Sequence, residues 1–572
     1  MIRAKLDGGT IVCYGDQEGA LALGRIPGAR HPPRTGLGTF TLPLNLDAFA
    51  ALTSAGAQMD AALQEAGKRA RDVQIWVDRL KEAKKVRPVK PVPIKPPCSL
   101  YQHQVKAFNL GVVLRNFAAL MDMGTGKSLA TVAITGRRYL DGKIRRVLVV
   151  APSSVCPVWP REYGQFADFP HRVAVLQGTK EQRLRTLEWL TAPVPAGAPD
   201  PLRVAVVNYE ACWRLKSDDG RRDYLMEYDA DMIVCDESQR IKNPGAKQAK
   251  AMHALGDRAR YRMILSGTPV QNNPLDVWSQ WRFLDASVFG KSFPQFRGRY
   301  AVMGGVGNHQ YLGARNLDEL TRKAHSIALR VTKEECLDLP EKTFEDRYIE
   351  LPEASMKLYK QLQRESYAEL EGGEEITANN VLTRLLRLQQ LTGGFLSGDD
   401  GKPTAVNHAK LDALEDIVQA ICIDEGRKLV IFCRFRAEIE AINALVDKLL
   451  APQRLTRVSI WGDVPISERG GLVNRFQTDP ACRAFVGNID ACAEGITLNA
   501  ACNAVYYSTN FNSAKYRQSQ DRIHRIGQTH KCTYTHLLVP GTIDMHIMQA
   551  LKSKEELSRT IVDNWKKYFV EE

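Results

Sequence analysis

The chain has 572 residues, of which 44% are hydrophobic, so it is too long for a single compact domain. Its 78 Lys and Arg residues against 65 Asp and Glu give a net charge of +13, which favours an anionic partner such as nucleic acid. No C-x-x-C pair occurs among the 12 cysteines, and we find neither a signal-peptide pattern nor an apolar run long enough to cross a bilayer. These features exclude a zinc ribbon, a disulfide scaffold and a membrane protein, and we expect a cytoplasmic protein.

Residues 1–83 are predicted to form a small α+β module. Short β-type runs lie in its Gly- and Pro-rich first half, and residues 60–85 have the composition of a helix with one partly apolar face. The segment that follows, KKVRPVKPVPIKPP at 84–97, contains closely spaced prolines. Prolines at this spacing exclude a helix or a central strand, so we expect an extended cationic spacer.

The rest of the chain alternates short apolar runs with longer helical patterns. Runs such as RRVLVVAP and DMIVCDE belong to a first set at 98–340, and KLVIFCRF and AFVGNID belong to a second set at 408–572. Strands with little polar alternation, each followed by a helix, indicate parallel sheets covered on both faces. We therefore predict an α/β protein with two such lobes and a helical connecting segment at 341–407.

A glycine-rich stretch, MDMGTGKS at 121–128, follows one apolar run of the first set. In a phosphate-binding P-loop, glycines let backbone N–H groups approach the phosphates, a lysine reaches the β and γ phosphates, and a Ser or Thr hydroxyl binds Mg²⁺. Gly124, Gly126, Lys127 and Ser128 supply these parts, although Met121 occupies the position of the usual first glycine. Taken alone, the string is also compatible with a helix start that binds nothing.

A pair of acidic residues ends another apolar run of the same set, in MIVCDESQ. Asp236 and Glu237 would then lie at the carboxyl edge of a buried strand, where one acid can hold a metal ion and the other can orient the attacking water. A solvated acidic pair is the alternative. The acidic pair occurs in the same α/β set as the GKS loop, which favours a nucleotide site.

The third part lies near the end of the second set, in QSQDRIHRIGQ at 518–528. On a helix, the spacing of Arg522 and Arg525 places both side chains on one face, from which they can reach a γ-phosphate as arginine fingers. Two arginines at this spacing more often form a solvated helix face. Their place in the second α/β set favours the catalytic interpretation.

Together these motifs resemble the Swi/Snf-type ATPases of helicase superfamily two, which are double-stranded DNA translocases with two RecA-like lobes. The resemblance covers about residues 100–547 and includes YQHQVKAF, VLVVAPSSVCPVWPREYGQF, VVNYE and LSGTPVQNNPLDVWSQWRFL in order. It continues in the second lobe with IWGDVPISERGGLVNRF, EGITLNAA and QSQDRIHRIGQ.

The resemblance implies a role for each matching residue. ATP would bind through Gln104 at the adenine and through Gly124, Thr125, Gly126, Lys127, Ser128 and Gly495. Mg²⁺ would be held by Ser128 and Asp236, and the catalytic residues would be Glu237, Lys127, Arg522 and Arg525. Ser266, Thr268, Gln239 and Gln518 would couple hydrolysis to motion, and Ser153, Ser154, Asn208 and Thr497 would contact DNA.

The sequence departs from the family pattern at three places that bear on coupling. Gln239 stands where a histidine is common, DACAEG replaces a double-glycine turn, and Phe511-Asn512-Ser513 replaces Trp-Asn-Pro. These departures keep two alternatives to a duplex-DNA translocase open. One is an RNA- or single-strand-dependent helicase, and the other is an ATP-gated DNA-binding clamp with slow hydrolysis.

The N-terminal stretch GRIPGARHPPRTGLGTFTLPL at 24–44 resembles the HARP module of annealing helicases, with Phe40 near the place of a common tryptophan. That resemblance implies recognition of forked or branched DNA, and a passive capping domain is the alternative. We expect a compact bacterial or phage ATPase that remodels DNA or protein–DNA structures, at forks or in annealing.

Overall fold

A computed structural model describes residues 1–551 apart from 27, 33–35, 37, 196, 218, 271–272, 305–309, 337–339, 372–377, 398–401, 493–495, 511, 526 and 550. The chain divides into two compact units. Among the described residues, the first contains Met1–Met121 and Gly126–Val331, and the second contains Asp122–Thr125 and the residues from 332 to 551.

The N-terminal module is a four-stranded sheet with three helices. Its elements are β1 (Ile2–Asp7), β2 (Thr10–Gly15), α1 (Gln17–Arg25), β3 (Thr39–Pro43), α2 (Leu46–Ser54), β4 (Gln58–Met59) and α3 (Ala61–Glu82). The strand order is β3-β2-β1-β4, antiparallel except for the β1/β4 pair. Each helix begins after an Asp or Asn whose side chain accepts a backbone N–H of the first turn, namely Asp16, Asn45 and Asp60. These caps explain where the helices start.

The first α/β lobe contains a seven-stranded parallel sheet in the described residues, with the order β13-β5-β10-β9-β6-β8-β7. Its strands are β5 (Asn116–Met121), β6 (Arg146–Ala151), β7 (His171–Val175), β8 (Leu202–Asn208), β9 (Met232–Asp236), β10 (Tyr261–Leu265) and β13 (Ala328–Val331), and β11 (Ala301–Gly304) pairs with β12 (Gln310–Ala314) as a separate hairpin. The apolar strands β5 and β9 are buried over their whole length because helices cover both faces of the sheet.

Eleven helices accompany this sheet in the described part of the lobe. They are α4 (Gln102–Val113), α5 (Lys127–Leu140), α6 (Val158–Phe166), α7 (Lys180–Thr191), α8 (Ala211–Arg214), α9 (Tyr224–Tyr228), α10 (Lys247–Arg258), α11 (Asp276–Leu284), α12 (Ala286–Phe289), α13 (Phe293–Tyr300) and α14 (Leu317–His325). A twelfth helix, the short α15 (Lys333–Cys336) that follows β13, belongs to the second unit.

The second lobe is built on a six-stranded parallel sheet, counted over the described residues, with the order β14-β21-β20-β17-β19-β18. Its strands are β14 (Lys342–Tyr348), β17 (Leu429–Cys433), β18 (Thr456–Ile460), β19 (Cys482–Asn488), β20 (Asn503–Tyr506) and β21 (Cys532–Leu538), and β15 (Phe395–Ser397) pairs with β16 (Pro403–Ala405). The helices are α16 (Glu353–Glu371), α17 (Ala378–Thr392), α18 (Ala409–Val418), α19 (Arg436–Leu450), α20 (Ile466–Thr478), α21 (Ile489–Cys492) and α22 (Ser513–Gln520). The predicted α/β class with two parallel sheets is confirmed.

Two segments differ in detail from the sequence-based expectations. The predicted connecting segment begins with β14, which joins the second sheet beside β21. The proline-rich spacer is extended but is also anchored, because Asn109 accepts from Val89 N through Oδ1 and donates to Arg87 O, both at 2.9 Å. The spacer therefore lies along the first lobe. Among the described helices, none is long and apolar enough to cross a membrane.

Candidate active site

The phosphate-loop segment connects β5 to α5. Gly124 and Gly126 have φ angles of 81° and 83°, a conformation that favours glycine, and α5 begins at Lys127. The Lys127 ammonium donates to the Met121 carbonyl at 2.9 Å. A segment that starts a helix in this way points backbone N–H groups outward from the helix start, as anion binding requires.

Gln104, the predicted adenine-contacting residue, is packed directly against the start of α5. A Cβ on Gly126 would lie 2.1 Å from Gln104 Nε2, so a side chain there would displace the glutamine amide. Gln104 Oε1 accepts from Tyr101 N at 3.0 Å, which fixes the side chain at the first turn of α4. The structure thus brings Gln104 next to the GKS segment, and its contact with adenine stays a prediction.

Asp236 ends β9 and is buried. Burial, together with the neighbouring Glu237 carboxylate, raises the pKa of Asp236 to about 7. Its Oδ2 accepts from Trp159 Nε1 at 3.2 Å, and its carbonyl accepts from the Tyr209 hydroxyl at 2.5 Å. A carboxylate held in this way, in surroundings that disfavour its charge, is suited to bind a cation.

Glu237 lies one residue beyond the strand, with a φ angle of 51°. Its Oε2 accepts from Gln239 Nε2 at 2.7 Å, and Gln239 Oε1 accepts from the Ser266 hydroxyl at 2.8 Å. Ser266 Oγ in turn accepts from Thr268 N at 3.1 Å. This chain of bonds, which we call the glutamate relay, joins the predicted water-activating acid to the predicted coupling residues.

Two side chains that the sequence analysis did not single out support the relay. Gln280 on α11 accepts from the Ser238 hydroxyl at 2.6 Å and donates to Pro269 O at 2.7 Å. Arg330 on β13 donates to Leu120 O at 3.2 Å and to Gly267 O at 3.4 Å. Gln280 lies within the quoted motif LSGTPVQNNPLDVWSQWRFL, so its position in SQW was a signal in the sequence. Arg330 lies outside the quoted motifs, and no sequence pattern indicated it.

The two arginines converge, but the helix predicted to carry them is too short. The helix α22 ends at Gln520, beyond which Arg522 N and Ile523 N donate to carbonyls three residues back and the Arg522 carbonyl accepts from Leu498 N at 2.8 Å. The prediction of one helix through both arginines is therefore wrong. Arg522 and Arg525 nevertheless both donate to Ile496 O, at 3.1 and 3.4 Å.

The predicted DNA-contacting residues fall into two groups. Ser153 is exposed and Ser154 half-buried just after β6, and Asn208 ends β8, the strand that pairs with β6. These three therefore share the carboxyl edge of the first sheet. Thr497 instead accepts from Arg525 Nη1 at 2.6 Å, which associates it with the arginines.

The remaining predictions have mixed outcomes. Gln518 lies buried on α22, whereas Gly495 and Phe511 fall outside the described residues. The donor set for Mg²⁺ consists of the Ser128 hydroxyl and the Asp236 carboxylate. These are hard oxygen ligands, and Mg²⁺ commonly uses one or two protein ligands with phosphates and waters, so the residues present fit this metal.

The parallel sheets, the phosphate-loop segment and the glutamate relay define a helicase-type ATPase of superfamily two. The family model described as SNF2-related domain matches residues 101–393, more than half of the chain, and the helicase conserved C-terminal domain matches 409–527. The chain belongs to the SNF2-related family. The HARP-like resemblance concerns residues that precede both matches and stays a prediction.

Among curated proteins, the chain is 27% identical over 561 residues to the TATA-binding protein-associated factor mot1 of Aspergillus fumigatus, covering 86% of this chain and 28% of the relative. It is 25% identical over 459 residues to the human DNA annealing helicase and endonuclease ZRANB3, covering 78% and 38%. An uncharacterised ATP-dependent helicase of Mycoplasma genitalium is 24% identical over 447 residues, covering 77% and 40%. The chain thus spans less than half the length of these relatives.

Among solved structures, the Sulfolobus solfataricus SWI2/SNF2 ATPase core in complex with dsDNA is 25% identical, and the match covers 85% of this chain and 97% of that one with a TM-score of 0.39. The proteins named above as similar to this chain come from eukaryotes, a mycoplasma and an archaeon. A bacterial or phage origin accordingly stays a prediction.

Proposed function

We propose that this protein is an ATP-dependent double-stranded DNA translocase that remodels DNA or protein–DNA structures. The observation that carries the proposal is the glutamate relay, because it connects Glu237 to the Ser266–Thr268 turn through Gln239. The relay links the acid after β9 to the turn after the neighbouring strand β10, at the same carboxyl edge of the sheet that carries Ser153 and Asn208. An ATPase that only binds nucleotide has no need of it.

ATP binds, in this proposal, at the start of α5. Gln104 contacts the adenine, the backbone of Gly124–Ser128 and the Lys127 ammonium hold the phosphates, and Glu237 takes a proton from the attacking water. Mg²⁺, when held by Ser128 and Asp236, neutralises phosphate charge and so favours transfer to water. Arg522 and Arg525 stabilise the charge that develops on the γ-phosphate, a contact that contributes about 10³–10⁵ in rate.

Duplex DNA is the proposed substrate of the translocation step. Ser153, Ser154 and Asn208 lie at one sheet edge, and polar residues of this kind bind phosphate oxygens without reading sequence. The net charge of +13 supports binding that is sequence-tolerant and sensitive to salt. The name of the relative ZRANB3 describes a DNA annealing helicase, which supports DNA annealing as a process in which this chain acts, and we include forked or branched DNA among the proposed substrates.

The test is steady-state ATP hydrolysis by the purified chain without nucleic acid and with blunt duplex DNA, single-stranded DNA, RNA or a forked duplex. Lys127→Ala serves as the binding control and Glu237→Gln as the hydrolysis control. We expect duplex DNA to stimulate turnover strongly and both substitutions to abolish the stimulation. A triplex-displacement assay on the duplex then measures translocation itself.

Each other outcome selects another function. Stimulation by RNA or single strands in preference to duplex overturns the duplex assignment and identifies a helicase acting on that strand. Turnover that stays at the level of the Glu237→Gln control with every nucleic acid overturns the translocase and leaves the ATP-gated clamp. A preference for the forked duplex that is lost on deleting residues 1–97 supports the HARP-like role.

A further inference from the structure

The sheet of the N-terminal module carries helices on one face in the part of the chain that the structure describes. Buried residues from all three helices pack with alternate residues of the strands, the core being Ile2, Ala4, Ile11, Cys13, Leu23, Leu42, Ala48, Phe49, Leu52 and Leu63. Side chains alternate between the faces of a strand, so the residues between these core positions point to the other face. That second face is polar.

Strand register shows which side chains are neighbours on this second face. Arg3 pairs with Tyr14, and Tyr14 pairs with Thr39. In the next row Lys5 pairs with Val12, which pairs with Thr41, and Arg30 forms a bridge to Thr41. We call the surface formed by Arg3, Lys5, Tyr14, Arg30, Thr39 and Thr41 the outer face.

The outer face is cationic and has an aromatic centre. Arg3, Lys5 and Arg30 are exposed, and no ion pair involves them within the described residues. Tyr14 is 44% exposed, and the Lys5 ammonium lies 5.8 Å from the centroid of its ring. The carboxylate of nearby Asp16 is already paired with the amino-terminal ammonium at 2.5 Å. Asp7, which is exposed and pairs with Thr10 in the following row, is an acidic residue of the same face, and the three cations outnumber it.

We propose that the outer face binds single-stranded DNA, with a base stacked on Tyr14 and phosphates held by Arg3, Lys5 and Arg30. An exposed ring flanked by cations on a sheet suits an unpaired base, because stacking needs a base face that a duplex hides. The Thr39 hydroxyl supplies a further donor to phosphate, whereas the Thr41 hydroxyl donates to Arg30 O at 3.3 Å. This inference deepens the proposed function and rests on it, because action on forked DNA would supply the single strand.

The module is fixed to the first lobe, within the same compact unit. Asn45 Nδ2 donates to Ser287 O at 2.8 Å, and Asp47 pairs with Lys323 at 2.8 Å. The buried Lys81 donates to His325 O at 2.6 Å. The outer face therefore keeps a set orientation relative to the first-lobe edge, and a strand bound there stays near the lobe.

The first experiment measures binding of a fluorescent 15-nucleotide oligo-dT to the full chain by anisotropy, without nucleotide. The test variants are Tyr14→Ala and the double substitution Arg3→Glu with Lys5→Glu. Tyr14→Phe keeps the ring, and Lys68→Glu with Arg71→Glu reverses two exposed charges on α3 as a matched control. We expect about tenfold weaker binding in the test variants, and affinity within twofold of the parent chain in both controls.

Photocrosslinking distinguishes single-stranded DNA bound to the lobes from single-stranded DNA bound to the N-terminal module. An oligo-dT with 5-iododeoxyuridine is irradiated on the parent chain, and the crosslinked peptides are mapped by mass spectrometry. A crosslink at Tyr14 or within residues 1–43 supports the proposal. Crosslinks confined to residues after 97 overturn it. An equal loss of oligo-dT affinity in the charge-reversal control on α3 also overturns it, as does a larger effect of the test variants on blunt-duplex binding than on oligo-dT binding.

Failure of this inference is distinguishable from failure of the proposed function. Duplex-stimulated ATP hydrolysis is measured on the same variants, whose substituted residues lie outside the ATP site. Normal stimulation with unchanged oligo-dT binding overturns the outer-face proposal alone. Absent stimulation with a Tyr14-dependent crosslink overturns the translocase and leaves the single-strand site standing.

Discussion

Glu237 and Gln239 are joined by a hydrogen bond of 2.7 Å, from the amide Nε2 of the glutamine to the carboxylate Oε2 of the glutamate. The glutamine occupies a position where related motifs commonly have a histidine. Both side chains offer a donor to a carboxylate together with a second polar atom on the other side. Despite the departure, residue 239 still donates a hydrogen bond to the Glu237 carboxylate.

Replacing Gln239 tests the relay. Gln239→Ala leaves Glu237 without this partner, and a general base contributes about 10²–10⁴ in rate, so we expect the turnover number with duplex DNA to fall about tenfold. The KM for ATP should stay within about twofold, since the residue does not bind nucleotide. Gln239→His is the conservative control and should keep most of the turnover. Equal activity of the Ala and parent proteins would contradict a role for the relay.

Trp159 is predicted to orient Asp236 through its indole N–H. Trp159→Phe keeps an aromatic ring in the buried site but removes the 3.2 Å bond to Asp236 Oδ2. Because partners of ligating carboxylates influence metal affinity by about 10–100-fold, the Mg²⁺ concentration for half-maximal hydrolysis should rise about tenfold. Trp278→Phe is the matched control, since its buried indole N–H has no hydrogen-bond partner in the described structure. A rise of the same size in that control would indicate a packing effect.

Thr497 distinguishes an arginine-positioning role from the DNA contact that the sequence predicts. Thr497→Val removes the hydroxyl that accepts from Arg525 Nη1 at 2.6 Å. If the hydroxyl positions the arginine, turnover at saturating duplex DNA should fall about tenfold while the DNA concentration for half-maximal stimulation stays constant. Thr497→Ser should restore turnover. A change in the DNA concentration alone would support the DNA contact.

Lys81 makes stability depend on pH. Burial lowers the pKa of its ammonium to about 8 from its ordinary value of 10.5. Between these values the unfolded chain binds more protons than the folded chain, so this residue's contribution to stability rises with pH from about 8 and is lost as pH falls back through 8. We expect the Tm of the parent chain to rise between pH 8 and 10 relative to that of Lys81→Met. A constant difference between the two Tm values would contradict this linkage.

The sequence predicted those parts of the site that depend on the local geometry of the chain. The run MIVCDE predicted a buried strand that ends in acids, and β9 ends at Asp236. The relay partners Gln280 and Arg330 were missed because their contacts depend on how distant elements pack. The end of α22 at Gln520 was missed as well, and beyond it the Arg522 carbonyl accepts from the distant Leu498 N. The alternation of side chains in RAKLD predicts which residues share a face of β1. It does not predict which face the helices cover, so the outer face could be identified only from the structure.

The order of strands in the first sheet has a consequence for how the chain acquires its site. The loops after β5, β9 and β10 emerge from three adjacent strands, which lie about 4.8 Å apart. These strands are widely separated in sequence, and contacts between distant residues form slowly because a long loop must close first. No fragment that ends before β10 can assemble the relay, since Ser266 follows that strand. During synthesis, ATP hydrolysis is therefore expected to appear only in chains that extend beyond β10, which assays on nascent chains of increasing length would reveal.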